Sequence, residues 1–185
     1  MGSMKILLAN GFTLIELMVA ITVAGILLGI GVPAFNTFVQ NDRMTGQANS
    51  LVGSFGYARS EAVKRASANG ITVCPSANQT ACDAGPWTEG WVVTYIDPLN
   101  AANNVVLQAI PALSGTNTVT QVVGPAGGLV FNSAGTAPLA PLTLRICDTR
   151  GALFARQVEV NLTGRVAASQ KPGFAVNQTT ALTCP

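Results

Sequence analysis

Residues 11–33 read GFTLIELMVAITVAGILLGIGVP, and Glu16 is the only charge between Phe12 and Phe35. A helix needs roughly 20 apolar residues to cross a bilayer at about 1.5 Å per residue, and the run from Phe12 to Val32 supplies them. A carboxylate at the edge of such a helix costs on the order of a few kcal/mol even on lenient insertion scales. Signal peptides and simple signal anchors normally lack an acid inside the apolar run. Glu16 is therefore read as a working residue, and the segment as more than a tether. Gly25, Gly29 and Gly31 lie within it. Small residues let helices approach closely, and glycine is also simply common in membrane helices; both readings stand. The glycines and Pro33 weaken the helix locally.

Beyond Pro33 the helical pattern continues in another form. Met44, Ala48, Leu51, Phe55, Ala58 and Ala62 recur at alternating steps of four and three, which makes one apolar stripe. Asp42, Arg43, Gln47, Arg59 and Lys64 mostly fall off it. Glu61 precedes Arg65 by one helical turn, a pair worth a few tenths of a kcal/mol. Asn69-Gly70 is the expected C-terminal cap. The expectation is one helix of more than about fifty residues, half anchor and half spine for a folded domain.

From Ile71 onward short β-rich runs alternate with turn residues. The expected strands are 71–74, 91–96, 105–110, 118–123, 129–132, 142–147 and 157–162, with a short one at 165–168. Gly124-Pro125-Ala126-Gly127-Gly128 is the clearest break between them. Val158, Val160 and Leu162 alternate with Gln157, Glu159 and Asn161, the pattern of a strand with one buried face. The helical stripe and the apolar strand faces need each other. The economical α+β arrangement is a helix packed on one or two antiparallel sheets.

Composition narrows the chemistry. Only 10% of the 185 residues are charged and 49% are hydrophobic, greasier than an ordinary soluble protein. There is no histidine, so histidine triads, histidine metal sites and imidazole acid–base catalysis are excluded. Glu89, Asp97, Asp148 and Glu159 fall on separate strands or loops, with no spacing that implies a paired acid–base site. Ser60 and Ser76 have no histidine to activate them, and the glycine-rich run at 124–128 lies between strands, not before a helix. No enzyme and no cofactor are expected. The four cysteines, Cys74, Cys82, Cys147 and Cys184, permit three disulfide pairings. The favoured pairs are Cys74–Cys82, closing a short polar loop, and Cys147–Cys184, tying the C-terminus to a strand. A zinc site is the rival reading, but the spacings contain no paired CxxC.

The stretch from Gly11 to Glu16, with the uninterrupted apolar run behind it, resembles the type IV prepilin signature. That resemblance implies cleavage after Gly11 by a membrane-bound prepilin peptidase and N-methylation of Phe12. Glu16 becomes the fifth mature residue, where the family carries its near-diagnostic glutamate, and Pro33 falls where pilins place a helix-kinking proline. The implied organisation is a leader at 1–11, a membrane and filament-core helix at 12–35, an amphipathic helix at 36–70 and a β-rich domain at 71–185, together the type IV pilin fold. Loss of the leader removes Lys5, leaving nine bases and eight acids, so the mature chain gives no global polyanion signal.

Further stretches resemble the GspH/FimT group of minor pilins and pseudopilins. They are Tyr57-Ala58-Arg59-Ser60-Glu61-Ala62-Val63-Lys64-Arg65; Cys74-Pro75-Ser76 with Cys82, Trp87 and Gly90-Trp91; Gly128 to Asn132 with Gly135; and Gln157 to Val160 with Gly164-Arg165-Val166. The resemblance implies an inner-membrane protein with a periplasmic domain. It would assemble with other minor pilins and the major pilin to prime a type IV pilus at its tip. A type II secretion pseudopilin and a DNA-uptake pilin are the alternatives. In such filaments the family glutamate is thought to meet the charged N-terminus of a neighbour. Some FimT proteins bind DNA through Gly-Arg-x-Arg; here Gly164-Arg165-Val166-Ala167 lacks the second arginine. Between Arg145 and Lys171 there are nonetheless five bases against Asp148 and Glu159. Arg150, Arg156, Arg165 and Lys171 are therefore the candidate contacts to double-stranded DNA.

Overall fold

The computed structural model describes residues 11–66, 69–83, 85–97 and 104–185. Residues 1–10 of the expected leader lie outside them. One helix, α1 (Leu14–Arg65), is followed by eight strands: β1 (Ile71–Pro75), β2 (Gly90–Ile96), β3 (Asn104–Pro111), β4 (Thr118–Val123), β5 (Leu129–Phe131), β6 (Leu142–Cys147), β7 (Arg156–Val160) and β8 (Val166–Ala168). The chain divides into two compact units, Met1–Gln40 and Asn41–Pro185. The division falls within α1.

The described part of the first unit buries nothing that matters. Its best stretch has a mean hydropathy of 2.3 with none of it buried, and Phe12, Leu28 and Phe38 are all more than half exposed. Apolar surface left in water forfeits roughly 25 cal/mol per Å², so this segment needs lipid or other helices around it. Its hydroxyls are turned inward: Thr22 donates to the Met18 carbonyl at 2.7 Å and Thr37 to that of Pro33 at 3.1 Å. Such back-bonding hides a polar group from an apolar surrounding.

In the second unit, the stripe residues Met44, Ala48, Leu51, Phe55, Ala58 and Ala62 are all buried. They pack into one core with residues from two antiparallel four-stranded sheets. The first sheet has the order β3-β2-β1-β5 and the second β4-β6-β7-β8. Ile71, Val73, Trp91, Val93, Leu129 and Phe131 enter the core from the first sheet; Val119, Leu142, Leu144, Ile146, Val158 and Val160 enter from the second. Register explains the choice: Val158 opposes Leu144 and Val160 opposes Leu142, so their side chains share a face. Phe55 lies at the centre, its ring 6.0 Å from Trp87 and 6.4 Å from Phe131. The Trp91 indole donates to the Ser54 hydroxyl at 2.9 Å, tying sheet to helix through a fully buried pair.

The expectations need three corrections. The helix ends at Arg65, not at Asn69-Gly70; Ala66 takes the positive φ of 45° that follows it. Gly70 is needed for another reason: at φ +72° a Cβ there would lie 2.6 Å from the Phe131 carbonyl oxygen. Its freedom lets β1 start tight against β5. The seventh strand stops at Val160, so Leu162 is not a core residue but stands 57% exposed in a turn. Gln47, off the stripe in polarity, is nonetheless buried, bonded to the Asn117 amide at 2.6 Å and the Ser114 carbonyl at 3.3 Å. A buried amide is tolerated when its bonds are made.

Candidate functional site

The helix start carries the first candidates. Gly11 and Phe12 precede α1 in open, non-helical backbone, and Phe12 is 80% exposed. Thr13 caps the helix: its hydroxyl accepts the Glu16 N–H at 3.3 Å, and its carbonyl accepts the Leu17 N–H at 3.1 Å. Thr13 and Glu16 thus stand at the Ncap and N3 positions, the spacing of a capping box. The reading of Glu16 as an isolated acid missed this, although Thr-x-x-Glu before an apolar run is legible in sequence. A carboxylate in the first turn also meets the positive end of the helix dipole. The site thus places a cleavable bond, a flexible exposed aromatic and a fixed acid within one helical turn.

The second candidate region explains the residues that marked the GspH/FimT resemblance. Arg59, on α1, donates from Nε to the Gly135 carbonyl at 3.0 Å and from Nη2 to the Thr163 carbonyl at 3.3 Å. These carbonyls belong to two different turns. One follows β5, where the Asn132 side chain accepts the N–H groups of Ala134 and Thr136. The other joins β7 to β8, where the Asn161 side chain accepts the Arg165 N–H and the Thr163 hydroxyl. Gly135 and Gly164 have φ near +73° and +74°, and a Cβ on Gly164 would sit 2.0 Å from the Gly135 oxygen. One arginine and two glycines, far apart in sequence, therefore meet at a single point that ties the helix to a turn from each sheet. One turn along α1, Glu61 accepts from Arg65 Nε at 2.6 Å and pairs with Lys64 at 3.5 Å. Arg65 in turn lies 5.1 Å over the Tyr95 ring. The Arg65 hydrogen bond holds the Glu61 carboxyl below the usual carboxylate range, against the opposing effect of burial.

The candidate DNA contacts do not form one surface. Arg150 is committed to Asp148 at 2.6 Å and to the Asn41 side chain at 2.8 Å. Arg156 is half-buried and donates to the Ser169 and Gln170 carbonyls and to the Thr45 hydroxyl; burial lowers its pKa. Lys171 lies 4.0 Å over the Phe174 ring. Arg165 is exposed and makes no ion pair among the described residues. It borders a small pocket of about 180 Å³ with Glu159 and Asn161. Arg145 is occupied in holding the C-terminal segment, donating to the carbonyl and hydroxyl of Thr183 at 2.6 and 2.9 Å.

The four cysteines form two disulfides, Cys74–Cys82 and Cys147–Cys184. All four thiols are thereby occupied, and no cluster of metal-ligating side chains occurs among the described residues. A groove of about 500 Å³ is walled by Pro75, Pro86, Trp87, Thr120, Gln121 and Pro185, with no ionisable side chain in its lining. It offers shape and apolar contact but no acid–base pair. Trp87 and Trp91, at 3% and 0% exposure, belong to the core.

The comparisons with known proteins agree with this architecture. The family described as type II transport protein GspH matches residues 47–164. The prokaryotic N-terminal methylation motif matches residues 8–32. No curated protein sequence matches the chain significantly. Two crystal structures of the type IV minor pilin FimU from Pseudomonas aeruginosa are similar in fold. In space group P21 the TM-score is 0.53 at 22% identity, covering 72% of this chain and 98% of that one. In space group P65 it is 0.51 at 22% identity, covering 67% and 90%. The minor pseudopilin EpsH of the type 2 secretion system of Vibrio cholerae gives a TM-score of 0.49 at 15% identity, covering 68% and 95%.

Proposed function

The chain belongs to the GspH family, whose match spans well over half of it, and from that membership we propose that it is a minor pilin that primes type IV pilus assembly at the tip. That it is a minor pilin or pseudopilin with the type IV pilin fold follows from the family and the fold together. The priming role rests on one observation above the rest: an unburied apolar helix with a single acid fixed in its first turn, covalently joined to a folded domain that completes its own core. Such a helix is stable only in lipid or in a bundle of its own kind.

In this proposal prepilin peptidase cleaves after Gly11, Phe12 becomes the N-methylated terminus, and the helix leaves the inner membrane for the filament. There the Glu16 carboxylate meets the cationic N-terminus of a neighbouring subunit. A lone carboxylate among apolar helices costs several kcal/mol, and an amine beside it offsets much of that. A misregistered subunit would strand both charges, so the pair acts on register as well as strength. Other minor pilins and the major pilin are the partners, contacted laterally through the domain.

The test is a count of surface pili in a deletion strain of the native host. Loss of pili, restored by the intact gene but not by Glu16→Val, is the expected outcome. Normal piliation in the deletion strain would remove the priming role and shift the weight to secretion. A DNA-binding role is the second reading. Its support is confined to Arg165, exposed and without an ion-pair partner among the described residues, with Lys171 nearby in sequence. Binding to double-stranded DNA that falls steeply with salt and is abolished by Arg165→Glu would favour it.

A further inference from the structure

The loops at 148–154 and 170–174 form a face unlike the rest of the domain surface. Leu153 is 79% exposed, more than any other large apolar side chain described in the second unit. Two aromatic rings accompany it, each beneath a cation: Arg150 lies 4.1 Å from the Phe154 ring centroid and Lys171 4.0 Å from that of Phe174. The loops are in close contact, since a Cβ on Gly173 would lie 2.8 Å from the Leu153 carbonyl oxygen.

This face is fastened to the start of the second unit. Arg150 donates to the Asn41 side chain at 2.8 Å, and Arg156 to the Thr45 hydroxyl at 3.3 Å. Asn41 follows Gln40 by one peptide bond, and the uncharged run ends at Val32, a short way back in sequence. The face therefore lies where the chain enters the domain. Arg43, Arg150, Arg156 and Lys171 outnumber Asp42 and Asp148 there, and Asp148 is already engaged by Arg150.

We infer that this face rests on the phospholipid surface while the subunit waits in the membrane, with Leu153 in the interfacial layer and Lys171 at the level of the phosphates. The inference rests on reading the first unit as a membrane anchor. An apolar side chain flanked by cations fits a surface that offers hydrocarbon beneath anionic headgroups. The basic side chains lay their stems along the rings and keep their charges outward, as snorkelling residues do. A protein partner is the poorer fit: the ring faces are already covered by cations, which leaves no flat apolar area to pack on.

The test uses the full chain in vesicles of phosphatidylethanolamine and phosphatidylglycerol with brominated acyl chains. Trp87 and Trp91 are buried and give a constant background, so Leu153→Trp reports on its own position. Its added emission should be largely quenched. Leu162→Trp is the control. Its turn is tied to Arg59, eighteen positions after Asn41 on α1, about 27 Å along the helix axis, and it should stay unquenched. Adding Lys171→Glu should reduce quenching of Leu153→Trp in these vesicles but not in phosphatidylcholine. A chain that floats with the vesicles yet leaves Leu153→Trp unquenched overturns the inference and spares the anchor. Equal quenching at both positions also overturns it, because the domain then lies on its side. Failure to float removes the anchor reading and this inference together. A shift of Leu153→Trp emission seen only in assembled filaments would assign the face to a neighbouring subunit instead.

Discussion

At the scale of single residues, the informative side chains act through geometry more than through reactivity. Arg59 has two carbonyl acceptors on two turns, and no other cation is printed against either. Arg59→Ala should leave both turns unclamped and lower the denaturant midpoint of the chain in detergent by an amount equivalent to about 1–3 kcal/mol. Arg59→Lys should recover only part of it, because a single ammonium does not reproduce the guanidinium fork. Gly164→Ala meets both a positive φ and the Gly135 oxygen, and should cost a further about 1–3 kcal/mol or more. If both variants unfold with the wild type, the clamp is decorative. Sequence marked Arg59 and Gly164 as typical of one branch but gave no reason to connect them. The connection is a tertiary contact between distant segments, and no local spacing encodes it. Glu16 is the opposite case: its isolation in an apolar run is visible from sequence, and the structure adds the Thr13 cap that fixes where it stands.

At the scale of elements, α1 illustrates where periodicity suffices. The six stripe residues named from steps of three and four are the ones that are buried, because an amphipathic face is a local property. The helix end was misplaced because Asn-Gly is a strong C-terminal signal whose glycine is required here by the approach of β5. Ser54 and Trp91 make a buried bond between helix and sheet. Ser54→Ala should leave the indole N–H unsatisfied and cost about 1–3 kcal/mol, measured by denaturant unfolding. The Glu61–Arg65 pair at the end of α1 gives a pH dependence. With its folded pKa depressed by Arg65, Glu61 contributes stability that is present above the ordinary carboxylate range and lost as pH falls through the folded pKa. The stability difference between wild type and Glu61→Gln should therefore be constant near neutral pH and shrink on acidification. A difference that grows toward low pH would contradict the pairing.

At the scale of the whole molecule, the two disulfides should differ in weight. By loop-closure entropy the Cys147–Cys184 bridge, with a sequence separation of 37, is worth about 4 kcal/mol. The Cys74–Cys82 bridge, with a separation of 8, is worth about 2.5 kcal/mol. Its loop has other support: Ser76 donates to the Ala81 carbonyl, and the Asp83 side chain accepts from Ala77 and Gly85. Replacing Cys147 and Cys184 by serine should thus lower the melting temperature more than replacing Cys74 and Cys82, and should release the segment around Leu182 from its small cluster. The reverse ranking in a thermal melt would refute this.

What the sequence by itself determined is what depends on neighbours along the chain. It set the uncharged run and its single acid, the apolar stripe of α1, the alternation that makes strands, and the turn residues between them. These are fixed by helical and strand periods and by the conformations glycine and asparagine permit. Only the tertiary structure decided how the strands divide into two sheets, why Gly70 and Gly164 must be glycine, and which bases are free. Arg150 and Arg156, counted as available charges from sequence, are held by Asp148 and by carbonyls reached through folding. Long-range contacts assign those partners, and a side chain's charge carries no record of what the fold will place beside it.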